Sequence, residues 1–134
     1  SKINLLKHAE DIHILGDENK IAQVFDNLIQ NADTFSKENN FINIRIEKNL
    51  ENATILVEDN GPGFSKGSLK KVFDRFYTDR PKNEKFGNHS GLGLSISKQI
   101  VEAHGGSIEA LNRLNQKNEC LGGSINVTFP EDKN

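Results

Sequence analysis

The sequence predicts an α/β two-layer sandwich, with strands on one side and helices on the other. Three observations carry this. Short apolar runs of strand character recur at 3–6, 12–15, 41–49, 53–59, 107–112 and 123–129. Two intervening segments, 18–35 and 94–104, repeat their apolar residues at helical steps instead. The 134 residues show no internal repeat, low-complexity tract or long linker, so one domain, 1–134, is expected. A chain of this length buries roughly two-thirds of its unfolded surface.

Ile3, Leu5 and Leu6, then Ile12, Ile14 and Leu15, read as two short strands joined by a polar turn. Gly16-Asp17 marks a helix start, with Asp17 as N-cap and Glu18 placing negative charge where the helix dipole favours it. Ile21, Val24, Phe25, Leu28, Ala32 and Phe35 then recur at three- and four-residue steps, which makes 18–35 an amphipathic helix. Residues 41–49 and 53–59 read as adjacent antiparallel strands around a turn at Leu50-Glu51-Asn52. A helical turn is expected at 67–72, and a polar loop without periodicity at 73–90. Leu94 to His104 is a second helix, capped by Gly105-Gly106. Strands at 107–112 and 123–129 follow, with Gly122-Gly123 at the start of the second.

Composition narrows the function classes. Seventeen basic and 19 acidic residues give a net charge of −2, so neither nucleic acid nor an anionic membrane is an expected partner. No apolar run is long enough to span a bilayer, and Ser1-Lys2-Ile3-Asn4 is not a signal peptide. The lone Cys120 cannot form an internal disulfide and reads as a small residue near a strand. The absence of Met fits either a piece of a longer protein or removal of an initiator Met before Ser1.

Two patterns carry chemistry. On the first helix Gln23, Asn27 and Asn31 lie four residues apart on one face, beside the apolar stripe. They fit either a solvated polar face or a set of neutral amide oxygens suited to Mg²⁺. Two Asn in mid-helix are against propensity, which favours a use. On the strand 53–59, Ile55, Val57 and Asp59 share one face, so a carboxylate ends an apolar row just before Asn60-Gly61-Pro62-Gly63. Asp59 fits either an ordinary Asx turn or an acceptor set in an apolar slot.

Four segments, in order, give these patterns a common reading: Asn27-Leu28-Ile29-Gln30-Asn31-Ala32, Asp59-Asn60-Gly61-Pro62-Gly63, Val72-Phe73-Asp74-Arg75-Phe76-Tyr77 and Gly91-Leu92-Gly93-Leu94. They resemble the N, G1, F and G2 boxes of the GHKL (Bergerat) ATP-binding domain of two-component sensor histidine kinases. The stretch 76–81, with the region 86–106, is similar to envelope-sensing kinases of the ChvG type. No Walker A loop or G-x-G-x-x-G fingerprint is present.

The resemblance implies a mixed, mainly antiparallel sheet of about five strands packed on three helices, with a flexible ATP lid at about 73–90. It implies that Asn31 coordinates Mg²⁺ and Asn27 lines the phosphate site. Asp59 receives the exocyclic amine of adenine, with Gly61 and Gly63 allowing close backbone approach. Phe35 packs near the base. Phe73, Phe76 and Tyr77 either clamp the lid or fill the core. Arg75 and Arg80 are the basic residues for β/γ-phosphate contact. Ser90, Gly91, Leu92, Gly93 and Leu94 present a helix N-terminus to the phosphates.

The related gyrase-type ATPases carry a general-base Glu where this chain has Asn27, so transfer rather than hydrolysis of ATP is expected. Two positions depart from the family: His89-Ser90 where more glycines are usual, and Thr34 where Lys or Arg is common. No phosphoacceptor is expected here, because none of His8, His13, His89 and His104 is followed by an acidic residue. The implied protein histidine kinase uses ATP and Mg²⁺ and transfers phosphate to a dimerisation/phosphoacceptor domain of the same kinase, and thence to a response regulator. The isolated domain would be monomeric and the full-length kinase a homodimer, with this part a cytoplasmic domain of an inner-membrane sensor. The rival expectation is a degenerate nucleotide- or partner-binding module without phosphotransfer.

Overall fold

The computed structural model describes residues 2–7, 14, 16–35, 41–49, 51–65, 67, 69, 71–74 and 93–131. Strand β1 (Lys2–Lys7) is followed by helix α1 (Glu18–Phe35), strands β2 (Phe41–Lys48) and β3 (Asn52–Glu58), helix α2 (Gly93–Ala103), and strands β4 (Ser107–Leu114) and β5 (Cys120–Pro130). The five strands form one sheet in the order β1-β2-β3-β5-β4. Three of its pairings are antiparallel; β1 alone runs parallel to its neighbour, β2. Parallel strands need a crossover, and α1 supplies it.

That pairing changes one sequence expectation. The first strand was expected to turn directly into a second at 12–15, but its partner is β2, from Lys2 opposite Phe41 to Lys7 opposite Ile46. Ile14 lies in no strand, and residues 12, 13 and 15 fall outside the described set. Residues 67, 69 and 71–73 form turns, so the described residues contain two helices rather than three.

Helix α1 starts where its cap dictates. Asp17 Oδ1 accepts the backbone N–H of Asn19 at 2.9 Å and of Lys20 at 3.2 Å, satisfying two of the first-turn donors. Helix α2 stops in a Schellman motif: Gly106 N–H donates to Val101 O at 2.9 Å, and Gly105 N–H to Glu102 O at 3.0 Å. Gly105 holds φ at +79°, a left-handed geometry that glycine adopts without strain.

One apolar core joins the two layers. Val24, Leu28 and Ala32 of α1 and Val101 of α2 meet Ile42, Ile55, Val57, Ile125, Val127 and Phe129 of the sheet. Six of these, Val24, Leu28, Ile42, Val101, Val127 and Phe129, have no solvent exposure. Strand β3 alternates as expected, with Ala53, Ile55 and Val57 buried and the residues between them half-buried. Its turn to β2 is held by Asn49 Oδ1, which accepts the N–H of Glu51 and of Asn52.

Candidate nucleotide site

The apolar stripe that buries α1 also fixes its polar face. Leu28 is fully buried, which rotates Asn27 and Asn31 to the half-buried margin of the helix and leaves Gln23 exposed. Asn27 then meets the other helix. Its Nδ2 donates to Gly93 O and to Ser97 Oγ, each at 3.3 Å. Ser97 is completely buried, so this hydroxyl depends on a protein partner. The bond makes the first residue of α2 a direct neighbour of the middle of α1, although they are 66 positions apart. The N–H groups of the first turn of α2 have no intrahelical partner, and the helix dipole adds positive potential there.

Asn31 lies one turn further along α1, and among the described residues its amide makes no hydrogen bond. No group of three or more His, Cys, Asp or Glu among the described residues could hold a metal ion. An amide oxygen such as that of Asn31 is a hard donor of the kind Mg²⁺ accepts alongside water and phosphate oxygens.

Asp59 continues the inward row of β3 and is only 3% exposed. Its Oδ1 accepts the N–H of Gly61 at 2.8 Å and of Gly123 at 3.1 Å. The first of these is the expected Asx turn, and the second ties the carboxylate to β5. Asp59 thus shapes its turn as an Asx residue, and its carboxylate ends a buried apolar row. Gly61 and Gly63 are buried within the same loop. Gly63 has φ +79°, and a Cβ there would lie 2.6 Å from both Asn112 Oδ1 and Cys120 Sγ. Only glycine fits that position.

Of the remaining residues, Gly93 opens α2 and Leu94 packs partly buried against the core. Phe73 fills the core with Val72 and Phe64. Phe35 ends α1. Arg75, Phe76, Arg80, Ser90, Gly91 and Leu92 lie outside the described residues, as do Tyr77, His89 and positions 75–90 of the expected lid.

The sequence reading missed the residues that brace this loop. Asn112 holds Phe64 by its backbone, accepting its N–H and donating to its carbonyl, both at 2.7 Å. Arg113 Nη2 donates to Asp59 O at 2.6 Å and to Asn60 Oδ1 at 2.9 Å. Cys120, the first residue of β5, is exposed, and its Sγ donates weakly to Pro62 O at 3.5 Å. Asn112 and Arg113 lie opposite Gly123 and Gly122 of β5, a register that the sequence reading, which ended the strand at 112, did not contain.

The comparisons with known proteins converge. The family model of histidine kinase-, DNA gyrase B- and HSP90-like ATPases matches residues 16–133. The chain is 44% identical over 116 residues to the sensor protein ChvG of Agrobacterium fabrum, covering 86% of this chain and 20% of the relative. It is 41% identical over 123 residues to the sensor histidine kinase WalK of Bacillus subtilis, covering 90% of this chain and 19% of the relative. Among solved structures, the catalytic domain of histidine kinase ThkA matches with a TM-score of 0.79 at 30% identity, covering 97% of this chain and 80% of that one. The mycobacterial sensor histidine kinase MprB matches with a TM-score of 0.80 at 25% identity, covering 96% and 82%. The chain thus spans about one fifth of the length of the curated relatives. By its family match and its fold, this chain belongs to the histidine kinase-, DNA gyrase B- and HSP90-like ATPases, as the catalytic ATPase domain of a sensor histidine kinase.

Proposed function

We propose that this domain binds ATP with Mg²⁺ and donates the γ-phosphoryl group to a histidine on a separate dimerisation/phosphoacceptor domain. The observation that carries this reading is the bond from Asn27 Nδ2 to Gly93 O, which joins the N box to the start of the G2 helix. With its nitrogen committed to α2, Asn27 keeps its oxygen for the solvent side of the joint. An amide oxygen is a poor proton acceptor, so Asn27 does not activate water for attack on ATP.

Each part has a defined task. The first turn of α2 supplies N–H donors and dipole potential to phosphate oxygens. Asp59 accepts from the exocyclic amine of adenine, with Gly61 and Gly63 letting the backbone approach the base. Asn31 holds the cation, which neutralises phosphate charge when bound. The acceptor imidazole brings its own lone pair, so the domain contributes positioning and charge stabilisation rather than a base. Arg75 and Arg80 add guanidinium contacts, and the segment 73–90 acts as lid.

The wider setting follows from the relatives. A solved complex of ThkA with the response regulator TrrA matches this chain with a TM-score of 0.74 at 29% identity. A response regulator is accordingly the downstream partner proposed for the full-length kinase, with this part a cytoplasmic domain of a homodimeric inner-membrane sensor. No helix among the described residues is long and apolar enough to cross a membrane.

The test has two stages: calorimetric titration with ATP, with and without Mg²⁺, then transfer from γ-labelled ATP to a supplied acceptor domain. Magnesium-dependent binding and a labelled acceptor are expected. Binding without transfer would instead identify a nucleotide-holding module, and indifference to ATP would overturn the reading.

A further inference from the structure

We infer that Arg113 is a positioning residue for the base-reading carboxylate, and that it sets this domain's preference for a purine bearing a 6-amino group. The inference rests on the reading of Asp59 as the acceptor of that amine.

The geometry is specific. Asp59 follows β3, and Arg113 lies in β4; β5 runs between these two strands. Arg113 is opposite Gly122 of β5 in register, so its side chain must pass that residue to reach Asp59. A Cβ at Gly122, where φ is +148°, would stand 1.9 Å from Asp59 O, the same carbonyl that accepts from Arg113 at 2.6 Å. The missing side chain of Gly122 thus admits the backbone of the Asp59–Asn60 turn, and Arg113, opposite Gly122 in register, holds that turn by its carbonyl.

The guanidinium then grips the turn rather than the carboxylate. Nη2 donates to Asp59 O, to Asn60 Oδ1 at 2.9 Å and to Leu121 O at 3.4 Å. The Asp59 N–H is meanwhile held by Gly123 O at 2.9 Å. With its carbonyl and its N–H both held, the Asp59 backbone is restrained, and so is the point from which its carboxylate, held in turn by Gly61 and Gly123, projects. Hydrogen bonds weaken steeply with angle, so a small rotation here would cost recognition of the amine. Arg113 Nε is buried and has no partner among the described residues, a placement that optimising the guanidinium for stability alone would avoid. The arrangement favours the two acceptors at the turn over the full satisfaction of the guanidinium.

The test compares magnesium-dependent binding of ATP and of purine riboside triphosphate, which lacks the 6-amino group, to the whole chain. The wild type should prefer ATP by roughly 10- to 100-fold, the worth of one hydrogen bond to a charged group. Arg113→Ala should shrink that preference about 10-fold while changing affinity for purine riboside triphosphate less than about 2-fold. Equal weakening of both nucleotides, or an unchanged preference, overturns the inference. A wild type blind to the amino group overturns the reading of Asp59 as well, which separates the two failures. If Arg113→Ala does not fold, Arg113→Lys and Asn60→Ala each remove part of the anchor. Both should then lower the preference about 3-fold, and a wild-type preference in both overturns the inference.

Discussion

The imidazole of His104, just beyond the last turn of α2, accepts the backbone N–H of Asp17, the N-cap of α1, at 3.1 Å. Its Nδ1 lies 2.8 Å from Ile100 O. The Nδ1–H tautomer satisfies both contacts, donating to the carbonyl and accepting from the amide. Gly16 makes the approach possible, since a Cβ there would stand 2.3 Å from His104 Cδ2. The ring also meets Phe129 edge-on, at a centroid distance of 6.4 Å. One side chain thus links both helices and the sheet.

Replacing His104 with Ala should cost about 1–3 kcal/mol, from the lost hydrogen bond and the lost packing. Gly16→Ala should cost about 1–3 kcal/mol alone, because the ring must move. In the His104→Ala background the Gly16→Ala cost should fall by roughly 1 kcal/mol, since the obstructing ring is gone. Urea denaturation of the four proteins in the cycle measures this coupling, and additive effects would contradict the contact.

Asn31→Ala and Asn27→Ala should separate function from stability. Asn31 is half-buried and unpartnered among the described residues, so its loss should change stability by less than about 0.5 kcal/mol. Transfer to an acceptor domain should nevertheless fall at least about 100-fold, as expected when a metal ligand is removed. Asn27→Ala should lose transfer and also about 1–2 kcal/mol of stability, because it strands the buried Ser97 hydroxyl. Thermal melts beside the labelled-phosphate assay distinguish the two profiles.

Gly122→Ala should be among the most damaging single changes in the chain. Its Cβ would meet backbone, not a flexible side-chain end, so β5 or the Asp59 turn must shift. A cost of at least about 3 kcal/mol is expected, with nucleotide affinity lost in any fraction that folds. Circular dichroism and ATP titration read the two effects.

Gly105→Ala provides the contrast. The residue is exposed and remote in the fold from Asn27 and Asp59, and its φ of +79° is the main obstacle to a side chain. About 1 kcal/mol of stability should be lost, lowering the melting temperature by roughly 3–6 °C. ATP affinity should stay within about 2-fold of wild type, and a larger drop would mean that the end of α2 is coupled to the site.

What the sequence revealed was what short-range physics controls. The stripe from Ile21 to Phe35, with its Asp17 cap, located α1 from Glu18 to Phe35. Alternation along β3 put Asp59 on the buried side, where the structure has it. Partners distant in the chain were harder. Nothing near Lys2–Lys7 says that the strand waits for β2 beyond a helix, so the nearer apolar run at 12–15 looked like its partner. Arg113 and His104 act on residues 54 and 87 positions away, through contacts that no local pattern encodes. Glycine marks such meetings in outline: Gly16 leaves room for the His104 ring, and Gly122 for the turn that Arg113 holds.

Asn112 acts on Phe64 as a strand would, giving its backbone one donor and one acceptor. The sheet's ladder is thereby extended by a single amide, and that rung sits between the Asp59 turn and everything the chain does after Phe64. An insertion or deletion after Phe64 should therefore disturb the Asp59 turn less than a change at Asn112 itself.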